Sequence, residues 1–349
     1  MLARANFKPV PAQRGVALLT VLFILVLLST LAVYTAEDEN IAIRRAENQR
    51  DMAQAYQVVL AGEQWVSKAL ERDLLNAPSG VDYLGDEWAL LSSQVVDVED
   101  GQMVVQAADE SGKFNLNNLL IGKMVDKPGT GSPTSTPQQV ESVWYRYFTR
   151  LLANLGLDEE LADAVVDWVD ADDQRTAPDG AEDSVYLSSS PSYLAANQPF
   201  FSVSQLVLVE GFDEDIVAIL WPNVSALPVT KNSGNYTKIN VNTAPVVVLK
   251  SLDEHPIDSL LIENLILSRK VRPYEQVSSL YAELSLGLDV DEFNAIAGVS
   301  SAYFSAQSCA RFGRVDVAMQ SLLYRNAQTE EVSVLSRQRR YNCGVDPNQ

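Results

Sequence analysis

The densest concentration of chemistry in the chain lies between residues 167 and 183, where Asp167, Asp170, Asp172, Asp173, Asp179, Glu182 and Asp183 place seven carboxylates within seventeen residues. So many like charges repel one another unless water or a cation neutralises them. Hard oxygen donors suit calcium, which takes roughly six to eight ligands in loose geometry and tolerates a loop scaffold. An EF-hand register starting at Asp170 fails, because its sixth position is Arg175 and its twelfth is Ala181. On spacing alone two readings stand, a solvated acidic loop and a structural calcium site. Glu182 and Asp183 could also do acid–base work without histidine, but no nucleophile elbow, phosphate loop or zinc signature accompanies them.

His255 is the only histidine, which removes Ser/His/Asp triads and most zinc hydrolases. Its setting, Asp253-Glu254-His255-Pro256, reads as a loop approaching a helix. The chemistry therefore points away from an enzyme. Cys309 and Cys343 are the only cysteines and fall in a strand-like segment. An oxidising compartment would let them close a disulfide worth ~3–4 kcal/mol, whereas a reducing one would leave two buried thiols.

Against 46 acidic side chains stand 26 basic ones, a net charge of −20 that repels nucleic acid and anionic lipid. Ile239-Asn240-Val241-Asn242-Thr243-Ala244-Pro245 resembles the opening of a helix-hairpin-helix module, so a membrane-anchored periplasmic DNA-binding or DNA-uptake protein is the rival reading. That function needs a glycine-containing hairpin and clustered cations, and Leu252-Asp253-Glu254-His255-Pro256 has neither. A packing role is preferred, with no nucleic acid among the partners.

The elements that must carry these residues begin at the N-terminus. Val16–Tyr34 is uncharged and close to the ~20 residues an apolar helix needs to cross hydrocarbon. Arg4, Lys8 and Arg14 precede it and Glu37, Asp38 and Glu39 follow, which places residues 1–15 in the cytoplasm. Three fates compete: secretory cleavage near Thr30-Leu31-Ala32, a plain anchor, or a leader cut on the cytoplasmic side. Ile41, Met52, Tyr56, Val59, Leu60, Val66, Leu70 and Leu74 then recur at near-helical spacing, and no proline interrupts residues 16–77. One helix of ~90 Å is expected, apolar all round at first and one-sided afterwards.

Beyond it, 94–99 and 102–108 read as a hairpin about Asp100-Gly101. Residues 127–137, rich in Pro, Gly, Ser and Thr, read as a flexible linker. Helical patterns occupy 143–155, 159–169, 203–209, 214–220, 244–252, 257–271, 274–282 and 290–296, and 302–311, 314–325 and 330–340 suit strands that return to the hairpin.

Gln13-Arg14-Gly15 followed by Val16-Ala17-Leu18-Leu19 resembles a type IV prepilin cleavage site, with the cut between Gly15 and Val16. Most such proteins carry Glu at the fifth mature position, but here it is Thr20. Lack of that Glu, the segment Asp109–Leu119 and the Asp-Trp-x-Asp-x-Asp run closing in Gly-Ala-Glu-Asp are similar to one branch, the minor pseudopilin K of the type II secretion system (general secretion pathway protein K family). The resemblance implies an α+β, type IV pilin-like fold, a long N-terminal helix plus an antiparallel sheet, with a large inserted all-α, SAM-like domain. The expected layout is a prepilin leader at 1–15, a transmembrane half-helix at 16–36, an amphipathic half at 37–77 and the first part of the sheet at 78–126. The linker at 127–137, the helical insert at 138–299 and the completing strands at 300–349 follow.

The resemblance further implies a structural calcium ion on Asp170, Asp172, Glu182 and Asp183, with Asp173 and Asp179 as additional ligands. The implied setting is the bacterial inner membrane, spanned once, with a periplasmic body and a methylated mature N-terminus. Implied partners are minor pseudopilins I and J, other pseudopilins, the prepilin peptidase and the inner-membrane assembly platform. The implied role is to form the tip of the periplasmic pseudopilus, promote its assembly and so support protein export across the outer membrane.

Overall fold

The computed structural model describes residues 14–76, 80–91, 94–127, 138–176, 178–229 and 236–340. The leader up to residue 13, most of the expected linker (128–137) and Cys343 lie outside them. Helix α1 (Arg14–Asn76) runs 63 residues without a break, about 95 Å at 1.5 Å per residue. Nothing in it opposes helix: proline is absent, and the hydroxyls of Thr20, Thr30 and Thr35 donate to carbonyls three or four residues back, hiding their polarity within the apolar half. Residues 16–50 are exposed all round; burial starts at Ala55 and continues through Val59, Glu63, Val66, Ala69, Leu70 and Asp73.

After the short α2 (Glu87–Leu90), β1 (Gln94–Val98) and β2 (Gly101–Asp109) form the expected hairpin. The chain then leaves the sheet. Helical expectations mostly hold in α3 (Val143–Asn154), α4 (Leu161–Val169), α6 (Glu214–Leu220), α7 (Val246–Lys250), α8 (Ser259–Arg269), α9 (Val277–Leu284) and α10 (Val290–Ile296), while the one-turn α5 (Asp183–Tyr186) has no counterpart among the expected segments. Val203–Leu208 is a tighter 3-10 helix, opened by a Ser202–Gln205 capping box. Helix α7 is shorter than its apolar run because Pro245 occupies its N-cap.

The insert is not purely helical. Three small ladders stitch it: β3 (Phe114–Asn115) with β6 (Val224–Ser225), β4 (Met124–Lys127) with β5 (Gln138–Glu141), and β7 (Ile239–Asn240) with β8 (Ala297–Gly298). Nor does it begin at 138. Phe114, Leu116 and Leu119 belong to its core, where Phe114 stacks on Tyr147 and Phe148 at ring-centroid distances of 5.3 and 5.1 Å. The expected boundary fell too late because Asn115, Asn117 and Asn118 look like loop residues. Their amides instead bind buried backbone of Leu227, Phe200 and Thr237.

The chain returns as β9 (Tyr303–Phe312), β10 (Val315–Asn326) and β11 (Glu331–Arg340), giving a five-stranded antiparallel sheet in the order β1-β2-β9-β10-β11. One face packs on α1 through Met103, Val105, Ala306, Ala310, Met319 and Leu323. Gly62 permits the approach: a Cβ there would lie 2.7 Å from Ser308 Oγ and 2.8 Å from Val105 Cγ2. A bulge opposite Leu322/Leu323 flips the parity of β11. Val332 and Val334 before it and Arg337 after it thus all face α1, where Arg337 forms a two-pronged pair with buried Glu63, both contacts at 2.8 Å.

Candidate functional site

Helix α4 is buried along nearly its whole length, which fixes the start of the acidic loop. At its end Asp167, fully buried, turns its carboxylate onto the Thr176 backbone amide at 3.0 Å. The loop then closes over Asp167, since a Cβ on Gly180 would sit 2.1 Å from Asp167 Oδ2, so only glycine fits there. Arg175, whose position excluded an EF-hand, donates to the Gly180 carbonyl and draws the two arms together.

This framework gathers Asp170, Asp172 and Glu182, with one carboxylate oxygen from each within 4.8 Å of the others. Glu182 is 5 % exposed, and both its carboxylate oxygens are buried without a hydrogen-bond partner. A buried carboxylate with no donor is costly unless protonated or bound to a cation. Burial, followed by the charges of Asp167, Asp170, Asp173 and Asp172, raises its pKa to about 7. A set of hard, converging oxygens fits calcium better than softer, nitrogen- or sulfur-seeking metals.

Three other expected ligands are placed differently. Asp183 accepts the Ala195 amide at 2.9 Å, Asp173 accepts from Asn197 at 3.5 Å, and Asp179 is exposed beside Glu160, whose pKa its charge raises. None of the three joins the close trio among the described residues. Asp163, one turn before Asp167, is spent on Lys123 and the Tyr145 hydroxyl, 2.9 and 2.6 Å away.

The remaining candidates divide by position. Val16 lies in the first turn of α1, and Thr20 is four residues further on. Cys309 is buried on the sheet face turned away from α1 with Val104 and Ala318, while Cys343 lies outside the described residues. Asn240 and Asn242, from the helix-hairpin-helix-like motif, are fully buried and engage Asp109, Ser301 and Tyr274, leaving no polar face for phosphate. The His255 side chain is 84 % exposed against Asp253, apart from the acidic loop.

Sequence patterns missed a second polar centre: Arg325, buried on β10, pairs with Asp73 of α1 at 2.9 Å and with Asp82 beyond it. These residues are separated by up to 252 positions, so no local periodicity signals their meeting.

A membrane-length helix that continues as the spine of an antiparallel sheet defines a pilin-like subunit, here carrying a helical body with an acidic loop between β2 and β9. Residues 112–229 match the family described as type II secretion system (T2SS), protein K. The chain is 33% identical over 333 residues to the type II secretion system protein K of Pseudomonas aeruginosa, covering 93% of this chain and 92% of that protein. It is 32% identical over 339 residues to the Klebsiella pneumoniae protein of the same description, covering 94% and 96%. A chain of the GspK-GspI-GspJ complex from enterotoxigenic Escherichia coli is similar in structure with a TM-score of 0.68 at 26% identity, covering 85% of this chain and 100% of that one. The chain belongs to the type II secretion system protein K family, and it is a minor pseudopilin of that system.

Proposed function

We propose that this subunit forms the tip of the periplasmic pseudopilus together with minor pseudopilins I and J, and that it promotes pseudopilus assembly for export across the outer membrane. The observation that carries this reading is the single α1 rod, fully exposed over residues 16–50 and packed against the sheet only beyond them. Its exposed apolar half can sit in lipid first and among other pseudopilin helices later. The helical body lies toward the other end of α1, where its bulk would stop further subunits from stacking. The complex that contains the E. coli relative, GspK-GspI-GspJ, supports I and J as partners.

The prepilin peptidase then cuts between Gly15 and Val16, Val16 is methylated, and the mature chain spans the inner membrane once with its body in the periplasm. Other pseudopilins and the inner-membrane platform act on the same helix. The role is structural, without a catalytic step. Calcium held by Asp170, Asp172 and Glu182 would pin the acidic loop, with Asp173, Asp179 and Asp183 adding negative field or outer contacts. A Cys309–Cys343 disulfide would tie the C-terminal tail to the sheet.

The test is purification from membranes of cells that make the whole secretion system. A mature mass beginning at methylated Val16, with I and J in the same complex, is expected. A chain starting at Met1 or Val33, or one that never meets I and J, refutes the proposal.

A further inference from the structure

Both chain crossings between sheet and helical insert meet at one buried cluster of carboxylates. Asp109 closes β2 on the way out, and Ser301 precedes β9 on the way back. Asp109 accepts the side-chain amide of Asn240 at 3.1 Å and the hydroxyls of Thr243 and Ser301, so one carboxylate holds the insert and the return crossing together. Asp82 accepts the Ser301 amide at 2.6 Å, and its own amide donates to the Val299 carbonyl at 2.9 Å. Arg325 enters from β10 to pair with Asp73 and Asp82 and to donate to the Ser301 carbonyl at 2.9 Å. Asp86, held by the Tyr83 amide, brings an oxygen within 4.8 Å of those of Asp73 and Asp82.

Four carboxylates thus gather at the crossings, and the one guanidinium among them pairs with Asp73 and Asp82. Lys238, Tyr303 and Tyr324 border Asp73 and Asp82, but among the described ion pairs Arg325 alone joins them. Asn240, Thr243 and Ser301 complete the surround and are neutral. If every member were ionised, three negative charges would stay uncompensated in a largely buried seam, which is unfavourable.

We infer that this seam is a proton-linked clasp: seating the helical insert on the sheet body takes up protons, so the joint is held more tightly in mildly acidic than in alkaline surroundings.

Burial raises all four carboxyls above the usual carboxylate range, Asp86 and Asp109 from 3.8 to about 6. A carboxyl whose pKa is higher in the closed form binds more protons there than in the open form. Its contribution to closure therefore grows as pH falls from about 7 toward about 4, and it is lost as pH rises through about 6.

The test is amide hydrogen exchange of the full chain in detergent micelles, with calcium in constant excess so that the acidic loop does not change occupancy. Reporter amides are Asp82, Asn240 and Ser301, which bridge the crossings. After correction for intrinsic exchange, protection should rise roughly tenfold for each of Asp86 and Asp109 between pH 8 and pH 5, with Asp73 and Asp82 adding in the same direction. Asp86→Asn keeps an acceptor for the Tyr83 amide and should remove about one decade of that rise. Asp109→Asn should do likewise, and if it fails to fold, the parent and Asp86→Asn profiles decide. Protection that is flat or falls toward pH 5, or an unchanged rise in Asp86→Asn, overturns the clasp.

Discussion

Replacing Glu182 by Gln separates a metal-holding role from a packing role, because the two predict opposite results without the cation. In the metal-free chain Glu182 is a nearly buried carboxylate with no donor on either oxygen. Lifting its pKa from 4.5 to about 7 means that ionising it at pH 8 costs up to about 3 kcal/mol. Glu182→Gln removes that cost but leaves an amide without partners, a penalty of about 1–3 kcal/mol. In chelator the variant should therefore melt within a few degrees of the parent or above it. Calcium reverses the order. At about a hundredfold excess over its dissociation constant a ligand stabilises the folded state by about 2.7 kcal/mol, and loss of a converging carboxylate removes most of this. Thermal unfolding of the detergent-solubilised chain at pH 8, in chelator and across a calcium titration, measures both arms. A variant that keeps the parental calcium response refutes ligation by Glu182. A variant equally weakened with and without calcium refutes the relief of buried charge.

Three further substitutions test the framework. Arg325→Met strands Asp73 and Asp82 without their counter-ion and should cost about 3–5 kcal/mol at pH 8, less at pH 5 where they can protonate; chemical denaturation followed by tryptophan fluorescence checks this. Gly62→Val gains a few tenths of a kcal/mol in helix propensity but drives a branched side chain into Ser308 and Val105, so a net loss of about 1–3 kcal/mol is expected, with partial rescue by Ser308→Gly in a melting experiment. Arg337→Ala should cost about 1–3 kcal/mol at pH 7. Burial pulls the Glu63 pKa up, but Arg337 and Ser321 outweigh it and hold the carboxyl below 4.5. That stability is present above the unfolded pKa and fades as pH falls through the folded one, so parent and variant melts should converge on acidification.

How far these features were legible depends on the distance over which each is encoded. The α1 rod was plain, because absent proline and a 19-residue apolar run are local facts. Its buried face was only half right. Val59, Val66 and Leu70 pack as their spacing predicts, yet Met52 and Tyr56 are exposed, while Ala55, Gly62 and Glu63 turn inward. Apolar periodicity rewards large residues, whereas close contact between helix and sheet selects small ones, and the buried Glu63 is matched by Ser321 and by Arg337, which a bulge far along the chain delivers. At the acidic loop, sequence marked Asp170, Asp172 and Glu182. It could not tell that Asp183 would be drawn to the Ala195 amide, or that Asp167 would organise the loop from within.

The placement of the helical body follows from the same economy of contacts. Because Asp109 and Phe304 remain register partners, the insert leaves and re-enters the sheet at neighbouring points. Closing so long a loop adds an entropy cost that grows only with the logarithm of its length, which the existing strand pairing already bears. The two bodies keep separate apolar cores: Phe114, Tyr147 and Phe148 anchor one, and Trp88, Phe304 and Leu323 the other. What joins them is polar, through Asp82, Asp109, Asn240, Ser301 and Arg325. Polar joints add little net stability compared with an apolar seam of equal size, but they penalise every geometry that leaves a buried partner unmatched. The bearing of the helical body on α1 is thus set by a few directional contacts, and substitutions at those residues should change its orientation before they unfold either core.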